Sequence, residues 1–251
     1  MTLFADLKKD GLEKNEDRLG GGFQPLETDI YTMTIKAFYA TKSEGGAQAI
    51  NIVALRPDGK EYRETIYITK KSGENYFISA EKKKVPMPGF TIVDDICLVT
   101  DGGDLASQVF EERTINVFDF DAKKDLPKVV MQAINIIDQK VDLGIYQIQE
   151  NKNEKNAQTG EYEPTEKVIT KNVIRKVWHA EAKMTVAEAE NGVEEQGVFW
   201  QKWKDTHKGK VDDSKVVKVG ASGPSKSGPP LAQKTEGGET APRKSLFGNK
   251  K

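Results

Sequence analysis

The chain has 251 residues, 37% hydrophobic and 31% charged, with 38 Lys and Arg against 39 Asp and Glu for a formal net charge of −1. That supports one generous domain or two small ones with part of the chain outside the core, and it leaves any attraction to a polyanion to local clusters. The single cysteine, Cys97, excludes an internal disulfide, and no apolar run reaches the roughly 20 residues of a membrane span, so a soluble, cytoplasmic protein is expected.

Residues 1–22 are expected to form a short amphipathic helix with Leu3, Phe4 and Leu7 on one face, followed by the hinge Gly20-Gly21-Gly22. The helix lacks the uninterrupted apolar core of a signal peptide, and no Lys-Ser/Thr pair follows the glycines to make a phosphate loop. Asp29 to Lys70 reads as a meander of three strands, with turns at Ser43-Glu44-Gly45-Gly46 and Pro57-Asp58-Gly59. Strict alternation points Met33, Ile35 and Ala37 inward and Thr34, Lys36 and Phe38 outward. On the third strand Ile66 and Ile68 go one way and Arg63, Thr65, Tyr67 and Thr69 the other. One face is therefore apolar, and the other mixes rings with cations, a combination that suits a single nucleic-acid strand and equally describes an ordinary exposed face with a few amphipathic aromatics.

A basic, turn-rich excursion follows, carrying Lys70, Lys71, Tyr76, Phe77 and Lys82-Lys83-Lys84; it reads as a flap or a solvated loop. Phe90 to Leu98 has helical spacing, with Asp94 and Asp95 expected at the solvent side, and a short helix is expected near Asp104 to Phe110. Arg113 to Asp121 alternates as a strand. Asp119 and Asp121 would share a face, which admits a magnesium-dependent nuclease as the enzymatic rival, although an edge strand showing Asp to water explains the same spacing. Lys128 to Asp138, after Leu126-Pro127, fits a helix with Val130, Ile134 and Ile137 on one face, while its β-branched content keeps a strand open. Lys140 to Gln149 and Lys167 to His179 are strands joined by a long polar tip, Glu150 to Thr165.

Three strands, a helical connection and a long hairpin give the order of an oligonucleotide-binding (OB) barrel. The expected fold is mainly β with added helices, an elaborated five-stranded barrel over residues 23–183. Residues 184–219 should hold two helices docked on it, the first with the capping box Thr185…Glu188, the second placing Trp200 and Trp203 against the barrel. His179 and His207 have no partner at a catalytic or zinc spacing. Residues 220–251 are rich in Gly, Pro and Ser, unable to bury a core, and end in Arg243-Lys244-Ser245-Leu246-Phe247-Gly248-Asn249-Lys250-Lys251, the form of a short recognition peptide.

In their order along the chain, several segments resemble the single-stranded DNA-binding proteins of tailed phages, of the podophage type found in the schitovirus group. They are Gly73-Glu74-Asn75-Tyr76-Phe77, Pro88-Gly89-Phe90-Thr91-Ile92-Val93-Asp94-Asp95-Ile96-Cys97-Leu98-Val99-Thr100, Val117-Phe118-Asp119-Phe120, Lys176-Val177-Trp178-His179-Ala180-Glu181 and Lys244-Ser245-Leu246-Phe247-Gly248. The resemblance implies a non-enzymatic OB-fold protein, without cofactor or metal, that coats single-stranded DNA in phage replication and recombination in the cytoplasm of the infected bacterial host. It also implies replication and recombination proteins as partners, and a role in late transcription through host RNA polymerase. Bacterial single-strand binders usually end in an acidic tail; here Lys226, Lys234, Arg243, Lys244, Lys250 and Lys251 outnumber Glu236 and Glu239, which favours a partner with an acidic surface.

The expected base-stacking residues are Phe38, Tyr67 and Trp178, with Tyr76 in the excursion. The expected phosphate contacts are Lys36, Arg63, Lys70, Lys71, Arg175 and Lys176, and the partner-binding tail is Lys244, Ser245, Leu246, Phe247, Lys250 and Lys251. A protein-interaction scaffold acting through the tail alone is the non-enzymatic rival.

Overall fold

The computed structural model describes residues 25–100, 103–119, 122–158, 160–193 and 197–217. The expected N-terminal helix and hinge of residues 1–22 and the tail of residues 220–251 lie outside the described residues.

The protein is mainly β with few helices. The meander forms as expected: β1 (Asp29–Lys42), β2 (Gln48–Leu55) and β3 (Glu61–Tyr67). At the second turn Gly59 takes φ +79°, a left-handed conformation that suits glycine, and donates its N–H to the Arg56 carbonyl. A small hairpin, β4 (Tyr76–Ile78) and β5 (Lys84–Pro86), precedes α1 (Pro88–Val99). After a 3₁₀ turn at Leu105–Ser107 come β6 (Phe110–Asp119), β7 (Lys124–Ala133), β8 (Lys140–Lys155) and β9 (Tyr162–His179). The described chain then adds α2 (Val186–Glu190), α3 (Phe199–His207) and β10 (Val211–Lys215).

The helix expected over Lys128 to Asp138 is instead strand β7 and a turn. Pro127, read as a helix start, lies opposite Asn116 in the β6–β7 ladder, and the β-branched pair Val129-Val130 continues that ladder opposite Thr114 and Arg113. Pairing with β6 and β1 overrides a periodicity that a short apolar run cannot settle. The polar tip expected over Glu150 to Thr165 is also largely strand, because β8 and β9 stay paired to Lys155 and Tyr162.

β1 organises the sheet. Asp29 to Thr34 pair with β8, Tyr39 and Ala40 pair with β7, and Thr34 to Lys42 pair with β2. The strands run β10-β8-β1-β2-β3, with β9 on the far edge of β8 and the β6–β7 hairpin attached through β7; β10, which the sequence did not announce, is parallel to β8. The sheet is open, since no ladder joins β3 to β9. Where they approach, the Glu64 carboxylate of β3 accepts the Ile174 N–H of β9 at 2.9 Å.

The inner face packs Met33, Ile35, Phe38, Ile50, Ile52, Leu143, Ile145 and Val177 against Val93, Ile96, Cys97 and Leu98 of α1. α1 approaches β3 so closely that a Cβ on Gly89 would stand 2.2 Å from the Tyr67 carbonyl oxygen, so this helix start requires glycine. Asp95, expected at the surface, is buried beside Lys176 at 3.9 Å, because the C-terminal half of α1 is covered nearly all round.

α3 covers the outer face over β8 and β9. Trp203 lies edge-on to Trp178 at 5.5 Å, and both approach Gly144, where a Cβ would meet Trp178 at 2.8 Å and Trp203 at 3.1 Å. The fully buried Asp142 carboxylate holds this layer, accepting from Thr32 Oγ1 at 2.6 Å, Lys183 Nζ at 2.7 Å and Trp200 Nε1 at 2.8 Å. Removing one partner of a buried charged pair is costly because the other is left uncompensated. Asp142→Ala should lose about 3–5 kcal/mol of stability, read as a lowered urea midpoint in tryptophan fluorescence, with α3 the first element to lose hydrogen-exchange protection.

Candidate nucleic-acid interface

The faces of β1 are set by a bulge. Ile35 pairs with Ala54 but Ala37 pairs with Val53, so Lys36 is an extra residue and the alternation reverses after it. Phe38 therefore joins Met33 and Ile35 in the core with no exposed surface and cannot stack on a base, contrary to the sequence expectation. Ala37, expected in the core, turns outward with Tyr39 against Val130 and Val53. Lys36 itself pairs with Asp138 at 2.6 Å.

A second bulge acts on β9. Gly144 pairs with Lys176 and Ile145 with Ile174, which leaves Arg175 extra. Arg175 pairs with Asp212 of β10 at 2.9 Å and lies 5.8 Å from the Tyr146 ring. Lys176 reaches Asp95 and the Phe199 ring. Trp178 is fully buried under α3, so it is a core ring rather than a stacking platform. Lys176 and Trp178 thus serve the α3 layer, while Arg175 is tied to β10.

What the outer face of β1, β2 and β3 does hold is a groove of about 280 Å³, walled by the β6–β7 hairpin. Its floor carries Tyr39, Thr41, Asn51, Val53, Arg63 and Thr65, and its wall Asn116, Phe118 and Lys128. Across the floor Thr65 Oγ1 donates to Asn51 Oδ1 at 2.6 Å, and Asn51 Nδ2 donates to Thr41 Oγ1 at 2.7 Å, a polar strip spanning three strands. Arg63 lies over the Phe118 ring at 5.7 Å and pairs with Glu61 and Asp125. Tyr67 ends β3 on this same face with 51% of its surface exposed.

The chain leaving Tyr67 leads directly into the β4–β5 hairpin, where Tyr76 lies between Lys70 at 5.7 Å and Lys84 at 4.5 Å, and Lys70 is 5.3 Å from the Phe77 ring. Lys70 also pairs with Glu74, and Lys71 is exposed with its stem along Gly45. Tyr76 and Lys70 are therefore brought together, while Arg63 lies against the β6–β7 hairpin. Tyr39, Phe118, Asn51 and Lys128 were missed. A Lys and a Phe assigned to one face at Lys36 and Phe38 was the available sign of a phase break.

Of the rival nuclease pair, the Asp119 carboxylate accepts the Ala122 N–H at 2.7 Å, and Asp121 lies outside the described residues. Among the described residues no three His, Cys, Asp or Glu side chains converge as a metal site. His179 accepts the Ala182 N–H at 3.0 Å and His207 meets the Tyr146 hydroxyl at 3.2 Å; burial lowers both imidazoles below their ordinary pKa. The tail residues Lys244, Ser245, Leu246, Phe247, Lys250 and Lys251 lie outside the described residues. No helix of the described residues is long and apolar enough to cross a membrane. No protein-family model matches the chain, and no curated protein matches it.

Glu64 joins the groove strand β3 to β9. Burial lifts its carboxyl from 4.5 to about 7, against the opposing pull of the Tyr62 hydroxyl, the Ile174 N–H, Lys171 and Arg175. Between those values the folded chain keeps a proton that the unfolded chain has released, so the contribution to stability is largest below about pH 4.5 and declines as pH rises to 7. Glu64→Gln stays neutral throughout. Urea midpoints should therefore show the two proteins similar near pH 5 and the variant more stable near pH 8, by up to roughly 3 kcal/mol.

Proposed function

We propose that the chain is a sequence-tolerant single-stranded DNA-binding protein that receives the strand along the outer face of β1, β2 and β3. The observation that carries this reading is the groove itself: an open channel on a three-strand face that offers rings (Tyr39, Phe118), cations (Arg63, Lys128) and neutral hydrogen-bonding side chains, continued by the exposed Tyr67. Rings stack on any base and cations meet the phosphates, so such a surface binds without reading sequence. Lys70 and Lys71 in the turn after β3, with Tyr76 and Lys84 of the β4–β5 hairpin, extend the same chemistry beyond the end of β3.

The architecture supports an elaborated OB fold. A meander β1-β2-β3, a helix α1 packed against both β3 and β9, and a long β8–β9 hairpin whose first strand returns to β1 follow the barrel's order, with β6–β7 as an insertion before the fourth barrel strand. The gap between β3 and β9 is spanned by α1 and the Glu64 carboxylate rather than by a ladder. On this reading the protein coats single strands in phage replication and recombination inside the infected host. The segment ending in Leu246-Phe247 and its flanking lysines then recruits replication and recombination proteins, and host RNA polymerase in late transcription.

The test is titration with a thymine oligonucleotide, a duplex and an RNA of equal length at two salt concentrations. Single-stranded DNA should bind most tightly, with log K falling linearly against log salt by about 0.7 for each phosphate neutralised. Tyr67→Ala should weaken it by about 1–3 kcal/mol without changing the urea midpoint. Salt-independent binding, or a preference for duplex, would count against the reading.

A further inference from the structure

Arg63, in the floor of the groove, has its three guanidinium nitrogens divided between two carboxylates. Glu61, two residues back on the same face of β3, takes Nε at 2.9 Å and Nη2 at 2.5 Å. Asp125 of β7 takes Nη1 at 3.4 Å and Nη2 at 3.3 Å. Charge-assisted pairs normally close to about 2.7–2.9 Å, so Glu61 holds and orients the guanidinium while Asp125 makes only a stretched contact. The Phe118 ring, 5.7 Å from the guanidinium, is the register partner of Asp125 across the β6–β7 ladder, so ring and carboxylate are presented together by one hairpin.

A ring beside a guanidinium whose outer corner faces a loosely held, half-exposed carboxylate has the layout of a nucleotide subsite with its anion position already filled. Planar carboxylates and phosphodiesters compete for the same fork of Arg donors. Resting on the groove reading above, we propose that Arg63 and Phe118 form a one-nucleotide subsite, phosphodiester on the guanidinium and base against the ring, and that Asp125 occupies the phosphodiester position until a strand displaces it. Asp125 then lowers affinity for every anion at this position and confines occupancy to ligands that gain enough elsewhere in the groove to exchange it. Glu61 stays in place through the exchange, because it shares the strand and face of Arg63.

The experiment is a salt-dependent titration of the full chain with a thymine oligonucleotide, using Asp125→Asn, Arg63→Gln, the double variant and, as a charge control outside the groove, Glu166→Gln on β9. Asp125→Asn should bind about two- to fivefold more tightly at low salt, the worth of an exposed ion pair that no longer has to be broken. Its log K against log salt should also be steeper by up to about 0.7, because no released carboxylate recaptures a counterion. Glu166→Gln should match wild type, and in the Arg63→Gln background Asp125→Asn should have no effect. Equal or weaker binding by Asp125→Asn, while wild type binds with a clear salt slope, overturns the subsite and leaves the groove reading standing. A gain that survives in the Arg63→Gln background, or that Glu166→Gln reproduces, overturns it as a general charge effect. Absence of salt-sensitive binding by wild type removes the groove reading and the subsite together.

Discussion

The extra residue Lys36 in β1 decides which side chains of the sheet's shared strand face the core and which face outward, because one added residue reverses the alternation beyond it. Before the bulge Met33 and Ile35 point to the α1 side; after it Phe38 does, and Tyr39 turns to the other. Both halves of β1 are thereby buried on the inner face although their apolar residues are out of phase. The outward turn of Ala37 and Tyr39 gives the β6–β7 hairpin an apolar seat, through Val130, Val53, Ile115 and Val117. Packed on that seat, the hairpin forms the wall of the groove. Without the phase change the hairpin would meet Phe38 and the groove would lose its ring and its wall.

The two halves of the sheet's outer face differ in how they are covered. Over β8 and β9 the Asp142 carboxylate, with Thr32, Lys183 and Trp200, closes the outer face under α3. Here the aromatic residues are consumed by packing: Trp178, Trp203, Tyr146 and His207 contact one another. Over β1, β2 and β3 the outer face stays open, and polar residues hydrogen-bonded to each other, Thr41, Asn51 and Thr65, lie where α3 has no counterpart. Most of the cations here are balanced by nearby acids, as Lys36 is by Asp138 and Arg63 by Glu61 and Asp125. A surface of this kind fits a chain of nearly zero net charge, in which cations are matched locally by acids.

Much of the fold was legible because the elements carry strong local signals. The meander, α1, the capping box of α2, the α3 helix with its docked Trp203 and the β8–β9 pair follow from alternation, turn chemistry and helical spacing. β7 was not legible, because its run from Lys128 onward satisfies a helical period as well as a ladder, and only the partner strands β6 and β1 decide. The site was half legible. Arg63, Tyr67 and Tyr76 lie where alternation and loop chemistry place them, whereas Phe38, downstream of a bulge, and Trp178, beneath a helix contributed from far along the chain, have no exposed surface. Bulges leave little trace in composition, and the Lys36–Phe38 conflict within one face was the only local sign. Phe118 and Asp125 owe their roles to the fold of the hairpin over β3, a contact no single-strand pattern encodes.

On the proposed function the strand lies on the outer side of β1, β2 and β3 and not on the aromatic layer under α3. Ultraviolet cross-linking of a thymine oligonucleotide to the full chain, followed by peptide mapping, tests it directly. Adducts are expected in the peptides carrying Tyr67 and Phe118, with none in those carrying Tyr146 or Trp203. Adducts concentrated on Tyr146, Phe199 or Trp203, with Tyr67 and Phe118 unmodified, would contradict it.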